Sequence, residues 1–348
     1  MSGGLDMLER ANLQAFDRMC RADPVLVDVQ PARDVVPGMT TNTILASGPR
    51  LAWEDYIGGQ RRAIVFGALY EGLASDADDA ERKLANGEIR VEACQDHGCI
   101  GSVAGIYTAS MPVFVVENRA FGNLAFCNFY EGESRRRLNY GAYDDGVRDQ
   151  LHFLADVVAP TLRDAVGRSG GISLKPLMVR ALHMGDELHS RNSAATLLFQ
   201  RELYPHLLGV AETGRQRVEQ TLEYLAGSDY FFLRLSMASS KATADPAHGI
   251  EASSVVTSMA LYCRGVAIRV SGLGDRWELG PYPKVQAKMF EGFSPEDIDW
   301  IGGESIINET VGLGGFAQAA AFPLQNYQGG SPQAMIELNL AMYEITVG

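Results

Sequence analysis

The chain has 348 residues, 46% hydrophobic and 21% charged, with a formal net charge of −13. That length allows two or three domains with sizeable cores, and the acidic balance repels phosphates, which argues against a nucleic-acid partner. No apolar run is long enough to span a bilayer, and "MSGGLDMLERANLQAF" lacks the apolar centre of a signal peptide. The five cysteines (Cys20, Cys94, Cys99, Cys127 and Cys263) form no CxxC pair, which points to reduced thiols in a cytoplasmic protein away from membranes.

In chain order, an amphipathic helix is expected from about Leu5 to Arg21, stopped by Pro24, which pushes Asp23 out of helical dihedrals. "VLVDV" (25–29) reads as a short strand. "GGQRRAIVFGALYEGLA" (58–74) reads as a buried helix, and "SDADDAERKLANG" (75–87) as a second, with Ser75 and Asp78 in capping-box spacing. β-branched and aromatic runs bounded by Gly, Pro and Asn give strands at 89–93, 112–118 and 123–129. The basic run Arg135–Arg137 is read as a solvated loop. From Asp144 to about Gly227 the pattern is helical, broken by single glycines and prolines. Strands return at 266–272 and 285–290, and helices around 303–322 and 332–345 close the chain. The expectation is an α+β fold with two mixed α/β lobes, 1–143 and 228–348, and a small all-helical module, 144–227, between them.

Three stretches carry candidate chemistry. The first, "HMGDELHSRN", crowds His183, Asp186, Glu187, His189, Arg191 and Asn192. If a helix starts near Asp186, Glu187 and Arg191 share a face and the acids suit the helix dipole. Capping explains the acids but not His183, His189 and Asn192 together. His189 is therefore a candidate proton carrier, oriented by Asp186 or Glu187. The spacing differs from the HExxH pattern of zinc proteases, so no metal is expected. A metal-dependent hydrolase or lyase using His183, Asp186, Glu187 and His189 is kept as an alternative.

The second stretch, "EACQDHGCIGSVAG", puts Asp96 and His97 after a strand and beside glycines that admit a ligand. His97 is a candidate general base near neutral pH; Cys94 and Cys99 have poor zinc spacing. The third holds Lys241, His248, Arg269, Asp275 and Arg276. "GIEASS" is read as a helix start able to hold an anion, and "SGLGD", with Gly272 and Gly274, as a nest of backbone donors. Arg191, Arg269 and Arg276 are candidates to grip a carboxylate or phosphate in bidentate fashion. On a strand, Ile268 and Val270 point to one face and Arg269 to the other, toward a polar cleft. "VGLGGFA" (311–317) fits GxGxxA but follows no clear strand, which argues against dinucleotide binding. All three stretches are expected to line one cleft, with no cofactor.

Six blocks carry a resemblance: "DPVLVDVQPARDVVPGM" (23–39), "GSVAGIYTASMPVFVVENRAFGN" (101–123), "HMGDELHSRNSAATLLFQREL" (183–203), "HGIEASSVVTSMA" (248–260), "IRVSGLGDRW" (268–277) and "ETVGLGGFAQAAA" (309–321). In this order they are similar to the YlbE/YahG-like family of bacterial proteins. The resemblance implies an α+β protein with an internal helical part. It also implies a subunit of oxamate carbamoyltransferase in allantoin breakdown, beside a succinyl-CoA-synthetase-like subunit. The implied reaction interconverts oxalurate plus phosphate with oxamate plus carbamoyl phosphate. Family members continue past "MYEITVG" with a glycine-rich segment, so a shortened or divergent member is expected. The resulting expectation is a carbamoyl-transfer enzyme or subunit, oligomeric, acting on a small anionic carboxylated amide with phosphate or carbamoyl phosphate. A non-catalytic structural subunit is the second reading.

Overall fold

The structure is a computed structural model that describes residues 2–284, 288–298 and 301–347. Helix α1 (Ser2–Arg21) leads into strand β1 (Pro24–Pro31), and β2 (Thr43–Ala46) precedes helices α2 (Gly58–Tyr70) and α3 (Ala77–Ala85). The cap of α3 is Asp76, which accepts from the Asp79 N–H; this corrects the expected capping by Ser75. Strands β3 (Arg90–Ala93), β4 (Cys99–Ile100), β5 (Pro112–Asn118) and β6 (Asn123–Asn128) follow. The helical stretch contains α4 (Asp145–Phe153), α5 (Ala159–Ser169), α6 (Leu174–His183) and α7 (Ser193–Ala226), which is kinked at the non-helical Gly214, with the two-residue strand β7 (Ile172–Ser173) between α5 and α6. Helix α8 (Leu233–Ala244) precedes strands β8 (Val256–Tyr262), β9 (Gly265–Val270) and β10 (Glu278–Gly280), and α9 (Pro332–Met342) lies near the chain end. The architecture is α+β.

The main sheet runs β4-β6-β5-β1-β7, and β5 is antiparallel to both β1 and β6. Period-two alternation along β5 explains why this sheet is covered on both sides. Phe114 and Val116 enter the largest core cluster, with Leu162, Leu198, Phe199 and Leu235 from the helices and Phe231 from the turn before α8. Val113 and Val115 enter a second cluster with Leu45, Tyr107 and Phe126. The larger core runs from Leu26 to Leu313, drawing side chains from all three stretches of the chain.

Two expected elements are corrected. "GIEASS" is a turn entering β8, not a helix start. The 303–322 stretch contains two short 3₁₀ helices, Ser305–Val311 and Gly314–Ala320, because Gly312, which ends the first, and Gly314, which starts the second, both take positive φ. Of the strand expected at 285–290, residues 285–287 lie outside the described residues, and 288–290 form no strand.

Helix α8 was not anticipated. Its sequence, "LRLSMASSKATA", has no apolar stripe flanked by polar positions, yet Ser236, Ser239, Ser240 and Lys241 are all buried. Buried polar groups need partners. Ser240 pairs with Asn308 at 2.7 Å, Ser236 donates to the Leu188 carbonyl at 2.6 Å, and Lys241 meets Asp245 at 2.5 Å. The helix therefore brings a polar seam into the interior, where the 302–311 segment packs against it.

Candidate functional site

The seam is organised by Glu304, which is fully buried. Its segment joins the edge of β8: Leu261 and Gly303 exchange both backbone hydrogen bonds, at 2.8 and 2.9 Å. Gly302 permits this approach, since a Cβ there would lie 2.9 Å from the Leu261 carbonyl oxygen. The Glu304 carboxylate accepts from the Gly48 N–H (2.9 Å), the Gly101 N–H (2.6 Å) and Gln95 Nε2 (3.2 Å). Burial raises its pKa from the ordinary 4.5 to about 7, against the pull of these donors and of the nearby Lys241 charge.

Gly48 serves this carboxylate under a strict constraint. Its φ is +82°, and a Cβ would sit 2.5 Å from the Tyr262 Cβ. Gly48→Ala should therefore destabilise the fold by about 2 kcal/mol, combining the left-handed backbone cost with the overlap. Chemical denaturation showing a change within about 0.5 kcal/mol would contradict this.

Beside Glu304, the Cys94–His97 turn meets a separate three-stranded sheet, ordered β10-β9-β8. Gln95 donates from Nε2 to Glu304 and, at 3.3 Å, to the Met259 carbonyl of β8. The next residue, Asp96, holds Arg269 of β9 at 2.5 Å. In the ladder Ser258 faces Arg269 and Met259 faces Ile268, so the contacts of Gln95 and Asp96 fall on neighbouring rungs. Arg269 points to the buried side of β9, while Ile268 and Val270 on the other side are half-buried. Its guanidinium stacks on Trp277, 4.2 Å from the ring centroid. The Arg269 side chain is 8% exposed and that of Asp96 is 48% exposed, so the pair runs from the interior to solvent. Three buried polar atoms here lack a hydrogen-bond partner among the described residues: Arg269 Nε and Trp277 Nε1, both donors, and Gln95 Oε1, an acceptor. Ser239 Oγ of α8 is likewise unpartnered.

The 183–192 block is built differently. Helix α7 starts at Ser193 with Asn192 as N-cap, which corrects the expected start near Asp186. Asp186 caps from a distance: one oxygen accepts from the Ala195 N–H at 2.8 Å and the other pairs with Arg191. Glu187 accepts from the backbone N–H groups of His189 (2.5 Å), Ser190 (2.5 Å) and Arg191 (2.8 Å). This fixes a loop in which Leu188 takes φ +67°. Burial raises the pKa of both carboxyls. Asn192 Nδ2 donates to the His189 carbonyl at 2.9 Å.

His189 reaches the far end of the same seam, between Glu309 (2.7 Å) and Ser305 (2.8 Å), the residue after Glu304. Burial opposes a charged His189 ring, but the charge and hydrogen bond of Glu309, with the Glu187 charge, outweigh it and raise its pKa. His183 is exposed at the end of α6. Among the described residues no three His, Cys, Asp or Glu side chains are arranged to hold a metal ion.

The remaining candidates have local partners. His97 lies between the Pro37 carbonyl (2.6 Å) and Glu92 (2.9 Å), whereas His189 bonds Glu309 and Ser305. Lys241 is held by Asp245. His248 bonds Thr257 at 2.7 Å and lies 3.3 Å from Asp275, which is exposed. The Gly272 N–H donates to the Ser253 carbonyl at 2.8 Å, so this donor of the "SGLGD" nest is already engaged, and Gly274 takes positive φ. Arg276 is exposed and pairs with Glu278.

Sequence reasoning did not single out Gln95, Trp277 or Glu304. A signal was present for Glu304, an acid placed directly after a glycine pair in the apolar-flanked "WIGGESII". Gln95 and Trp277 carried none, since their significance lies in atoms left without partners.

A family model described as oxamate carbamoyltransferase subunit AllG matches residues 89–305, a span that includes Gln95, Arg269, Trp277 and Glu304. The uncharacterized protein YahG of Escherichia coli (strain K12) is 42% identical over 343 residues, covering 99% of this chain and 72% of YahG. Oxamate carbamoyltransferase subunit AllG of the same organism is 37% identical over 339 residues, covering 97% of this chain and 80% of AllG. A crystal structure of a conserved protein of unknown function from Enterococcus faecalis V583 shares the fold with a TM-score of 0.94 at 37% identity. That likeness covers 97% of this chain and 81% of that one.

Proposed function

Because the chain belongs to the oxamate carbamoyltransferase subunit AllG family, we propose that it is a carbamoyltransferase subunit that binds a small carboxylated amide between Gln95, Arg269 and Trp277. The observation that carries this reading is the set of unpartnered buried atoms. Arg269 Nε–H and Trp277 Nε1–H are donors suited to a carboxylate, and Gln95 Oε1 is an acceptor suited to an amide N–H. Leaving such groups unpaired is costly, and a carboxylated amide such as oxamate carries the complementary groups: carboxylate oxygens for the two donors and an amide N–H for the acceptor.

In the transfer this implies, a phosphate oxygen attacks the ureido carbonyl of oxalurate. The C–N bond to the oxamate nitrogen breaks, that nitrogen takes the proton phosphate gives up, and carbamoyl phosphate leaves. Arg269 and Trp277 hold the carboxylate still through both steps. His189, with its raised pKa, and the Glu309 beside it are the candidates at the seam's far end to move the proton. The phosphate half is assigned to a succinyl-CoA-synthetase-like partner subunit, and the reaction to the cytoplasm. No helix among the described residues is long and apolar enough to cross a membrane.

Calorimetry of the purified chain with oxamate tests the reading. Saturable binding and a ligand-dependent rise in Tm are expected. Heats of dilution alone, with an unmoved Tm, would leave a structural subunit as the function.

A further inference from the structure

We infer that Glu304 is a positioning residue: it fixes the amide of Gln95 so that Oε1 faces the ligand, and thereby selects a ligand bearing an N–H over an isosteric carboxylate. The inference rests on the preceding reading of where the ligand binds.

The geometry carries it. A primary amide has two N–H donors on one end and a carbonyl oxygen on the other. Both donors of Gln95 are engaged, one by the Glu304 carboxylate at 3.2 Å and one by the Met259 carbonyl at 3.3 Å. The reverse orientation would set Oε1 against two acceptors, so these partners decide which way the amide points. Oε1 is left buried and without a donor. A ligand amide satisfies it. Oxalate has the size and shape of oxamate but places an anionic oxygen where the amide nitrogen would be, against Oε1 and with nothing to share.

The device depends on the charge of Glu304. Once protonated, the acid needs an acceptor for its own proton, and Oε1 of a turned Gln95 amide is the group that can supply it. The groups facing Glu304 are the backbone N–H of Gly48 and of Gly101, Gln95, and, through space, Lys241 of α8 and the thiols of Cys94, Cys99 and Cys127. Burial raises the pKa of all three thiols and lifts that of Glu304 to about 7, so of these four acids Glu304 is the one whose charge changes near neutral pH. The oxamate preference should accordingly shrink on acidification.

The test compares oxamate and oxalate affinities by calorimetry for the wild type, Glu304→Gln and Gln95→Leu. At about pH 8 the wild type should favour oxamate by about 100-fold, the scale of one unsatisfied buried acceptor facing an anionic oxygen that has no proton to share. Gln95→Leu should bring the ratio close to one. Glu304→Gln, folded by circular dichroism, should lower it by about tenfold or more, because the amide introduced by this substitution can donate to a turned Gln95. Lowering the pH of the wild type to about 6 should lower it likewise.

A wild type that binds both ligands equally, or a folded Glu304→Gln with the wild-type ratio, overturns the role of Glu304 while leaving the ligand site in place. A wild type that binds neither ligand removes the site and the inference together. Should Glu304→Gln not fold, the pH series decides: a ratio constant between about pH 8 and about pH 6 overturns the proposal.

Discussion

Glu304→Ala should lose about 4 kcal/mol of stability at about pH 8, measured by chemical denaturation. Two buried backbone donors, the N–H groups of Gly48 and Gly101, would lose their acceptor, and Gln95 would lose one of its two. Each unsatisfied buried donor costs about 1–3 kcal/mol. Glu304→Gln keeps one acceptor oxygen and should cost less than half as much.

The same residue imposes a pH dependence with a definite sign. Its pKa is raised in the folded chain from 4.5 to about 7, so the folded state binds more protons than the unfolded state across that window. Stability is then highest below the unfolded value and falls as pH rises toward the folded one. The wild type should lose on the order of 3 kcal/mol relative to Glu304→Gln between about pH 4.5 and about pH 7, with no further change above. Asp186 and Glu187, also raised by burial, slope the same way but are common to both proteins. Parallel stability curves for wild type and variant would show that Glu304 stays ionised throughout.

Legibility in the sequence followed the periodicities. The "PVFVVEN" and "NLAFCNF" runs match β5 and β6, because near-continuous β-branched and aromatic runs suit a sheet buried on both faces. Helix α8 escaped notice because small serines and alanines at close-packed positions carry no amphipathic signal, although the helix is almost wholly buried. The 183–192 cluster was visible as a concentration of polar groups, but its partners were not. Glu187 is engaged by backbone N–H groups of a loop whose path turns at Leu188, and a linear pattern does not encode that path. Glu304 lies far along the chain from Gly48, Gly101 and Gln95, and only the joining of its segment to the edge of β8 brings them together.

Arg269 was legible by contrast, as a charge between apolar neighbours on a strand running into glycines, and its replacement should have the largest effect on ligand binding. The arginine faces inward, anchored by Asp96 at one nitrogen and stacked on Trp277, with Nε buried and unpartnered. Arg269→Lys keeps the charge but loses the planar fork and the Nε donor, so oxamate binding should weaken by about 2 kcal/mol, near 30-fold. Arg269→Met removes the charge and should weaken it by about 3 kcal/mol or more, over 100-fold. Fold stability should move by less than about 1 kcal/mol in Arg269→Met. The half-exposed Asp96 regains water, and the methionine still packs against Trp277. The diagnostic is the contrast between the two readouts. Unchanged affinity in both variants at matched pH and salt would mean that Arg269 serves only to tie β9 to the Cys94–His97 turn. A large stability loss in Arg269→Met would mean that the buried guanidinium supports the fold itself.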